Sequence, residues 1–162
     1  MSQPAPDSWS LDLPDEVATA RLATRLASHA CQGDVIALVG GLGAGKTSLA
    51  REFLRARAGD PRLEVPSPTF TLVQPYDLPG GAVWHFDLYR LKRPEEAWEL
   101  GIEEAFGHVI ALIEWPENLG ELLPAERLTV ELAPGRSPAS RYAMLRASPS
   151  WIGRLASLAA DG

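Results

Sequence analysis

The stretch that most constrains this chain is Gly40-Gly41-Leu42-Gly43-Ala44-Gly45-Lys46-Thr47, which fits the pattern G-x-x-x-x-G-K-[ST] at every fixed position. Glycines let a backbone wrap around an anion, turning successive N–H groups toward phosphate oxygens where a side chain would block the approach. In that pattern Lys46 supplies a point charge to the β- and γ-phosphates of a nucleotide. The Thr47 hydroxyl takes one position on Mg²⁺, and the helix that starts there aims its positive end at the phosphates. A glycine-rich turn that matches by accident needs neither a strand before it nor a helix after it. Here residues 34–39 are a short apolar run rich in β-branched side chains, as a buried parallel strand requires, and Lys46–Ala58 reads as a helix.

Composition limits what can surround such a loop. With 162 residues and 17.5 kDa, the chain has room for one compact domain and little for a separate substrate domain. Hydrophobic residues at 46% and charged residues at 22% are ordinary for an ordered globular chain. A net charge of −6 and a pI near 5.1 argue against tight nucleic-acid binding by this chain alone. No direct DNA binding is expected, and any role with RNA requires a partner to hold the RNA. The single cysteine, Cys31, has no internal disulfide partner and no thiol cluster around it, which fits a reducing compartment. The first residues lack the basic start and apolar run of a secretory signal, and no apolar stretch reaches membrane-spanning length. The expectation is a cytoplasmic protein without membrane attachment.

Along the chain, residues 1–8 read as a flexible start and 9–162 as the folded domain. Trp9, Leu11 and Leu13 alternate with polar residues, predicting a strand with one buried face, and residues 15–30 predict an amphipathic helix carrying Val17, Leu22 and Leu26. Cys31, at the end of that helix, reads as a buried or bystander thiol. After the loop helix, Pro61, Pro66, Pro68, Pro75 and Pro79 punctuate the chain, and residues 66–70 predict a stiff extended loop. Residues 71–76 and 82–88 read as an antiparallel hairpin with a longer turn over 77–81. Short helices are predicted at Pro94–Leu100, ending at Gly101, and at 103–106. A buried strand follows over 108–115, then strands at 127–133 and Arg141–Ala147 and a helix over 150–160. This last part reads as scaffold.

Several side chains outside the loop carry possible chemistry. Thr69 or Thr71, held by the proline-rich loop, has the position of a threonine that senses a γ-phosphate, or is simply a turn and strand residue. The period of two places Val83, His85 and Asp87 on one strand face and Trp84, Phe86 and Leu88 on the other. Asp87 either holds a Mg²⁺ water or orients an attacking water, or caps the strand end. His85 positions that water or packs as a structural histidine. Glu114 closes an apolar strand, which is how phosphate-loop enzymes deliver an acid beside the metal. Trp115 next to it covers a nucleotide base or fills the core.

Five blocks in order also carry a resemblance: Gly-Leu-Gly-Ala-Gly-Lys-Thr at 41–47, Ser-Pro-Thr-Phe-Thr-Leu-Val at 67–73, His-Phe-Asp-Leu-Tyr-Arg-Leu at 85–91, Glu-Leu-Gly-Ile-Glu-Glu at 99–104 and Ile-Glu-Trp-Pro-Glu at 113–117. Together they resemble the TsaE family, phosphate-loop ATPases of tRNA threonylcarbamoyladenosine modification. The resemblance implies a single-domain α/β P-loop nucleoside triphosphatase fold, with a mixed parallel/antiparallel sheet flanked by helices. It implies ATP and Mg²⁺ as cofactors, ATP hydrolysis, and assembly with TsaB and TsaD, which carry out transfer to adenosine 37 and hold the tRNA. Carried over by position, it assigns nucleotide binding to Gly41, Leu42, Gly43, Ala44, Gly45, Lys46, Thr47, Ser48 and Trp115, metal to Thr47 and Glu114, and catalysis to Lys46, Thr69 and Asp87. The chain departs from the family at Gly41, where an acid is frequent, and at Ser48, where threonine is frequent. No arginine finger is fixed by spacing, although Arg90 lies close to Asp87, so slow turnover is expected of the isolated chain. A small-molecule kinase would share the loop but need an arginine-bearing lid, and no lid insertion is present. A non-hydrolysing nucleotide-gated adaptor would leave Asp87 and Glu114 structural. The absence of an Asn-Lys-x-Asp block favours ATP over GTP.

Overall fold

The computed structural model describes residues 7–160. Of the expected flexible start, residues 1–6 lie outside the described residues, and Ser8 already belongs to a strand. The elements run β1 (Ser8–Leu13), α1 (Glu16–His29), β2 (Val35–Val39), α2 (Lys46–Ala58), β3 (Val73–Leu78), β4 (Gly81–Asp87), α3 (Ile102–Ala105), β5 (Ile110–Glu114), β6 (Leu128–Pro134), β7 (Arg141–Ala147) and α4 (Pro149–Ala160). Short 3₁₀ segments occupy Pro94–Leu100 and Pro116–Leu122.

All seven strands form one sheet in the order β1-β7-β6-β2-β5-β4-β3. The inner strands β6, β2, β5 and β4 are parallel, while β7 and β1 on one side and β3 on the other add antiparallel edges. The sheet is therefore mixed, as the resemblance implies. Strands β2 and β5 lie at its centre because their side chains are apolar on both faces, so each needs cover above and below. Helices α1, α2 and α4 cover one face, burying Leu22, Leu26, Phe53 and Trp151 against Ile36, Leu38 and Val130. On the other face Phe86, Leu88, Ala111 and Ile113 pack against Ala97, Ile102 and Leu119 from the 3₁₀ segments and α3.

The local chemistry explains the boundaries. The Asp15 carboxylate accepts a hydrogen bond from the Ala18 amide at 2.9 Å and caps α1. The buried stripe of α1 is Thr19, Leu22, Ala23, Leu26 and Ala27. Val17, expected on that stripe, is 58% exposed; five residues before Leu22, it points about 140° away around the helix. The extended loop also runs further than expected. Leu72 adopts a left-handed φ of 67°, its amide donates to the Pro68 carbonyl, and β3 starts only at Val73. The hairpin turn is tight instead of long, because Leu78 pairs with Gly81 and only Pro79 and Gly80 connect the strands. Helix α4 is tied down where Arg154 meets Asp34 at 2.7 Å and lies over the Trp151 ring at 3.8 Å. Cys31 is exposed, not buried.

Candidate nucleotide-binding site

The loop Gly40–Thr47 leaves the carboxyl end of β2 and enters α2, at the edge of a parallel sheet where open α/β folds bind ligands. Two glycines are required by geometry. Gly40 has φ 155°, and a Cβ there would stand 2.6 Å from the Leu132 carbonyl oxygen. Gly45 has φ 102°, and a Cβ there would stand 3.0 Å from Arg141 Nε. Gly45 is also the N-cap of α2, and no side chain caps that helix, so its first amides face the loop's concavity.

A cleft of about 470 Å³ opens over the loop. Leu42 through Ser48 line it, together with Ser67, Thr69, Asp87, Tyr89, Glu114, Trp115 and Arg141. The topology gathers them. Strand β5 ends in Glu114 beside β2, and β4 ends in Asp87 in register with Glu114, so both acids stand at the same edge as the loop. His85, Asp87 and Glu114 share the sheet face that α2 covers, as the period of two predicts.

Hydrogen bonds connect these groups. Thr47 Oγ1 donates to Glu114 Oε1 at 2.9 Å, and His85 Nε2 lies 2.7 Å from Glu114 Oε2. Glu114 and His85 are both buried, so each carboxylate oxygen has its own partner in a region without bulk water. His85 thus orients the acid from behind and does not itself line the cleft. Asp87 divides its oxygens in the same way. Its Oδ1 accepts from the Tyr89 amide at 3.1 Å, as a strand-end cap would, while Oδ2 accepts from Thr69 at 3.2 Å and Ser67 at 3.4 Å. The two readings of Asp87 are therefore compatible. The threonine in the cleft is Thr69; Thr71 is not among its lining residues.

Lys46 is buried, and its ammonium donates to the carbonyls of Gly40 and, at 2.8 Å, Gly41. It also lies 4.1 Å from the centroid of the Trp115 ring. Burial pulls the Lys46 pKa below the ordinary lysine value of 10.5, against the opposing pull of Glu114, Glu117 and Asp87. Trp115 itself holds a left-handed φ of 58° and packs against Tyr89 at 4.9 Å. A non-glycine residue in that region costs about 1–3 kcal/mol, and such strain gathers at sites where a side chain must be aimed. The indole stands at the lysine end of the cleft, on the side of Glu114. Gly41 contributes its carbonyl to Lys46 but does not line the cleft, and Arg90 lies over the exposed Phe70 ring at 4.5 Å.

Arg141 was missed by sequence reasoning. It opens β7, in the part of the chain read as scaffold, and reaches the loop only because β7 lies two strands from β2 in the sheet. Spacing in the sequence carried no sign of it. Among the described residues no group of three or more His, Cys, Asp or Glu side chains could hold a metal ion by itself. The Thr47 hydroxyl and the Glu114 carboxylate, 2.9 Å apart, are oxygen donors of the kind that could hold Mg²⁺, which takes one or two protein ligands and completes its shell with phosphate oxygens and water.

The sheet, the loop and its helix define a single-domain α/β protein of the P-loop nucleoside triphosphatase fold. Residues 13–142 match the family described as "Threonylcarbamoyl adenosine biosynthesis protein TsaE", and the chain belongs to that family. It is 43% identical over 122 residues to the tRNA threonylcarbamoyladenosine biosynthesis protein TsaE of Rickettsia felis, covering 75% of this chain and 71% of that protein. It is 38% identical to the TsaE of Bacillus subtilis over 123 residues, covering 75% and 74%. The crystal structure of YdiB from Bacillus subtilis superposes with a TM-score of 0.77 at 26% identity, covering 95% of each chain. Within the described residues, no helix is long and apolar enough to cross a membrane.

Proposed function

We propose that this chain is a Mg²⁺-dependent ATPase that drives or resets the TsaB–TsaD complex during threonylcarbamoyl transfer to adenosine 37 of tRNA. The observation that carries this reading is the convergence on one cleft of the phosphate loop, the Thr47–Glu114 pair and the Thr69–Asp87 pair, contributed by three parallel strands and one loop. A protein that only bound nucleotide would need the first of these and not the last.

The residues divide the work as follows. Loop amides and Lys46 bind the β- and γ-phosphates, the ammonium exchanging the Gly40 and Gly41 carbonyls for phosphate oxygens that carry full charge. The Trp115 ring under the ammonium keeps Lys46 aimed while it makes that exchange. Thr47 and Glu114 would hold Mg²⁺, which would supply positive charge to offset that of the phosphates. Asp87 Oδ2 and the Thr69 hydroxyl, 3.2 Å apart, position the water that attacks the γ-phosphorus. His85 holds Glu114 in the orientation that Thr47 and the metal require.

The cleft is open, and the loop carrying Thr69 also carries Phe70, 81% exposed, while Leu42 at the loop tip is 74% exposed. Apolar side chains standing in solvent beside the reacting groups suit a site that a partner closes, and the isolated chain should then turn over slowly. The acidic net charge fits partners that hold the tRNA. The deciding experiment is phosphate release from Mg-ATP by the wild type and a Lys46→Ala variant, alone and with TsaB, TsaD and tRNA. Stimulation by the partners that is lost in the variant supports the ATPase. ATP binding without release under every condition overturns it in favour of a nucleotide-gated adaptor.

A further inference from the structure

The guanidinium of Arg141 is only half used. Its Nη1 donates to the carbonyls of Pro138 at 2.7 Å and Ser140 at 2.8 Å, both in the turn between β6 and β7. Its Nε is buried and has no hydrogen-bond partner, although it lies against Gly45 of the phosphate loop. Arginine recognises phosphate through a two-pronged edge of parallel N–H groups, and the Nε–Nη2 edge is such a fork. A buried N–H left unpaired costs free energy unless a ligand satisfies it. Here the guanidinium is anchored through Nη1, its Nε lies against Gly45, and Arg141 lines the cleft that Lys46 and Thr47 also line.

The sheet order says which phosphates it faces. Glu114 and Asp87 end β5 and β4, on one side of β2, and mark the γ-phosphate end. Arg141 begins β7, on the other side of β2 beyond β6, and reaches Gly45 from there. A nucleotide with its γ-phosphate between Lys46 and Asp87 runs its remaining phosphates and nucleoside toward Arg141.

We propose that Arg141 is a nucleotide-binding residue that grips the α,β-diphosphate through its Nε edge, supplied from the second half of the same chain. The proposal rests on the nucleotide-binding reading above. It gives the apparently structural β6–β7 turn a task, since the turn holds the arginine in position. That turn does not need the arginine to form: Gly135 N donates to Ser140 O at 2.9 Å, Ser140 N to Ser137 O at 3.0 Å and Ser137 N to Ser140 Oγ at 2.8 Å.

The test is calorimetric titration of ADP and ATP into the wild type, Arg141→Gln, Arg141→Lys and Lys46→Ala, with thermal unfolding of each. Loss of a bidentate charged contact should weaken ADP and ATP by the same factor, about 10- to 100-fold, in Arg141→Gln. Arg141→Lys, which keeps the charge but not the fork, should fall between it and the wild type. Wild-type affinity for both nucleotides in Arg141→Gln overturns the proposal. A loss confined to ATP also overturns it, since that places the arginine at the γ-phosphate. If the wild type binds neither nucleotide, the underlying reading fails with it; if only Lys46→Ala loses binding, the fault lies with Arg141 alone.

Discussion

Replacing Glu114 separates the chemistry of the site from its stability. The carboxylate is buried and accepts from Thr47 at 2.9 Å and from His85 at 2.7 Å. Glu114→Gln keeps the size and can keep both contacts if the amide oxygen faces Thr47 and the amide nitrogen faces His85 Nε2. The histidine must then accept at Nε2 and carry its proton on Nδ1, which is buried without a partner. Two charge-assisted bonds become neutral, a loss of about 2 kcal/mol in all. A neutral amide is cheaper to bury than a carboxylate, and this returns a similar amount. The net change should stay within about 1 kcal/mol, a shift of no more than about 4 °C in Tm for a domain of this size. Glu114→Ala instead leaves Thr47 and His85 facing a void, at about 1–3 kcal/mol each plus the lost packing, so Tm should fall by on the order of 10 °C. Hydrolysis of Mg-ATP should drop by about 10²–10³ in both, because both lose the negative charge beside Thr47. Unfolding followed by circular dichroism, with phosphate release on the same samples, reads the two effects apart. The reasoning is refuted if the glutamine variant unfolds as early as the alanine variant, or if it hydrolyses ATP at the wild-type rate.

Further outcomes are expected elsewhere. Lys46 has a folded pKa below its unfolded one, so its charge opposes folding fully below the folded value, and stability recovers as pH rises toward 10.5. Lys46→Met should unfold no earlier than the wild type at pH 7, and the wild type should gain on it as pH rises toward 10.5 in denaturant titrations; a difference that stays constant over that rise contradicts the assignment. Thr69→Val removes the contacts to Ser67 at 2.8 Å and Asp87 at 3.2 Å on an exposed loop. It should cost about 1 kcal/mol or less in stability, with kcat for hydrolysis down at least about 10-fold and KM for ATP nearly unchanged. Trp151→Ala empties the largest buried side chain and should cost about 3–5 kcal/mol in urea unfolding. Val17→Lys, on the exposed side of α1, should stay within about 0.5 kcal/mol of the wild type.

Much of the site was legible because the parts that meet a phosphate are contiguous in sequence. The loop pattern at 40–47 needs its residues at fixed spacing on a strand-to-helix turn, so the spacing is itself the geometry. Glu114 was legible because it closes an apolar strand in a chain that also carries the phosphate loop, a combination that says more than either part, and Asp87 because strand periodicity put it beside His85. Short-range periodicity was less secure at Val17, where a five-residue gap breaks the helical stripe. It was also less secure at Leu72, where hydrogen bonds to Pro68 and from Asp87 delay the strand.

The sequence by itself determined the local structures and the residue types that could do chemistry: the glycine-rich loop, the strand faces, the helix start at Asp15 and the acids at strand ends. Each follows from interactions within a few residues, which spacing records. Only the tertiary structure decided which of these groups touch. The sheet order brings Glu114 to Thr47 across 67 positions and sets His85 behind it. It also carries Arg141 from a strand with no visible motif to Gly45 of the phosphate loop. Contacts of that kind come from strand pairing and the close packing of a core, and neither leaves a fixed interval in the chain.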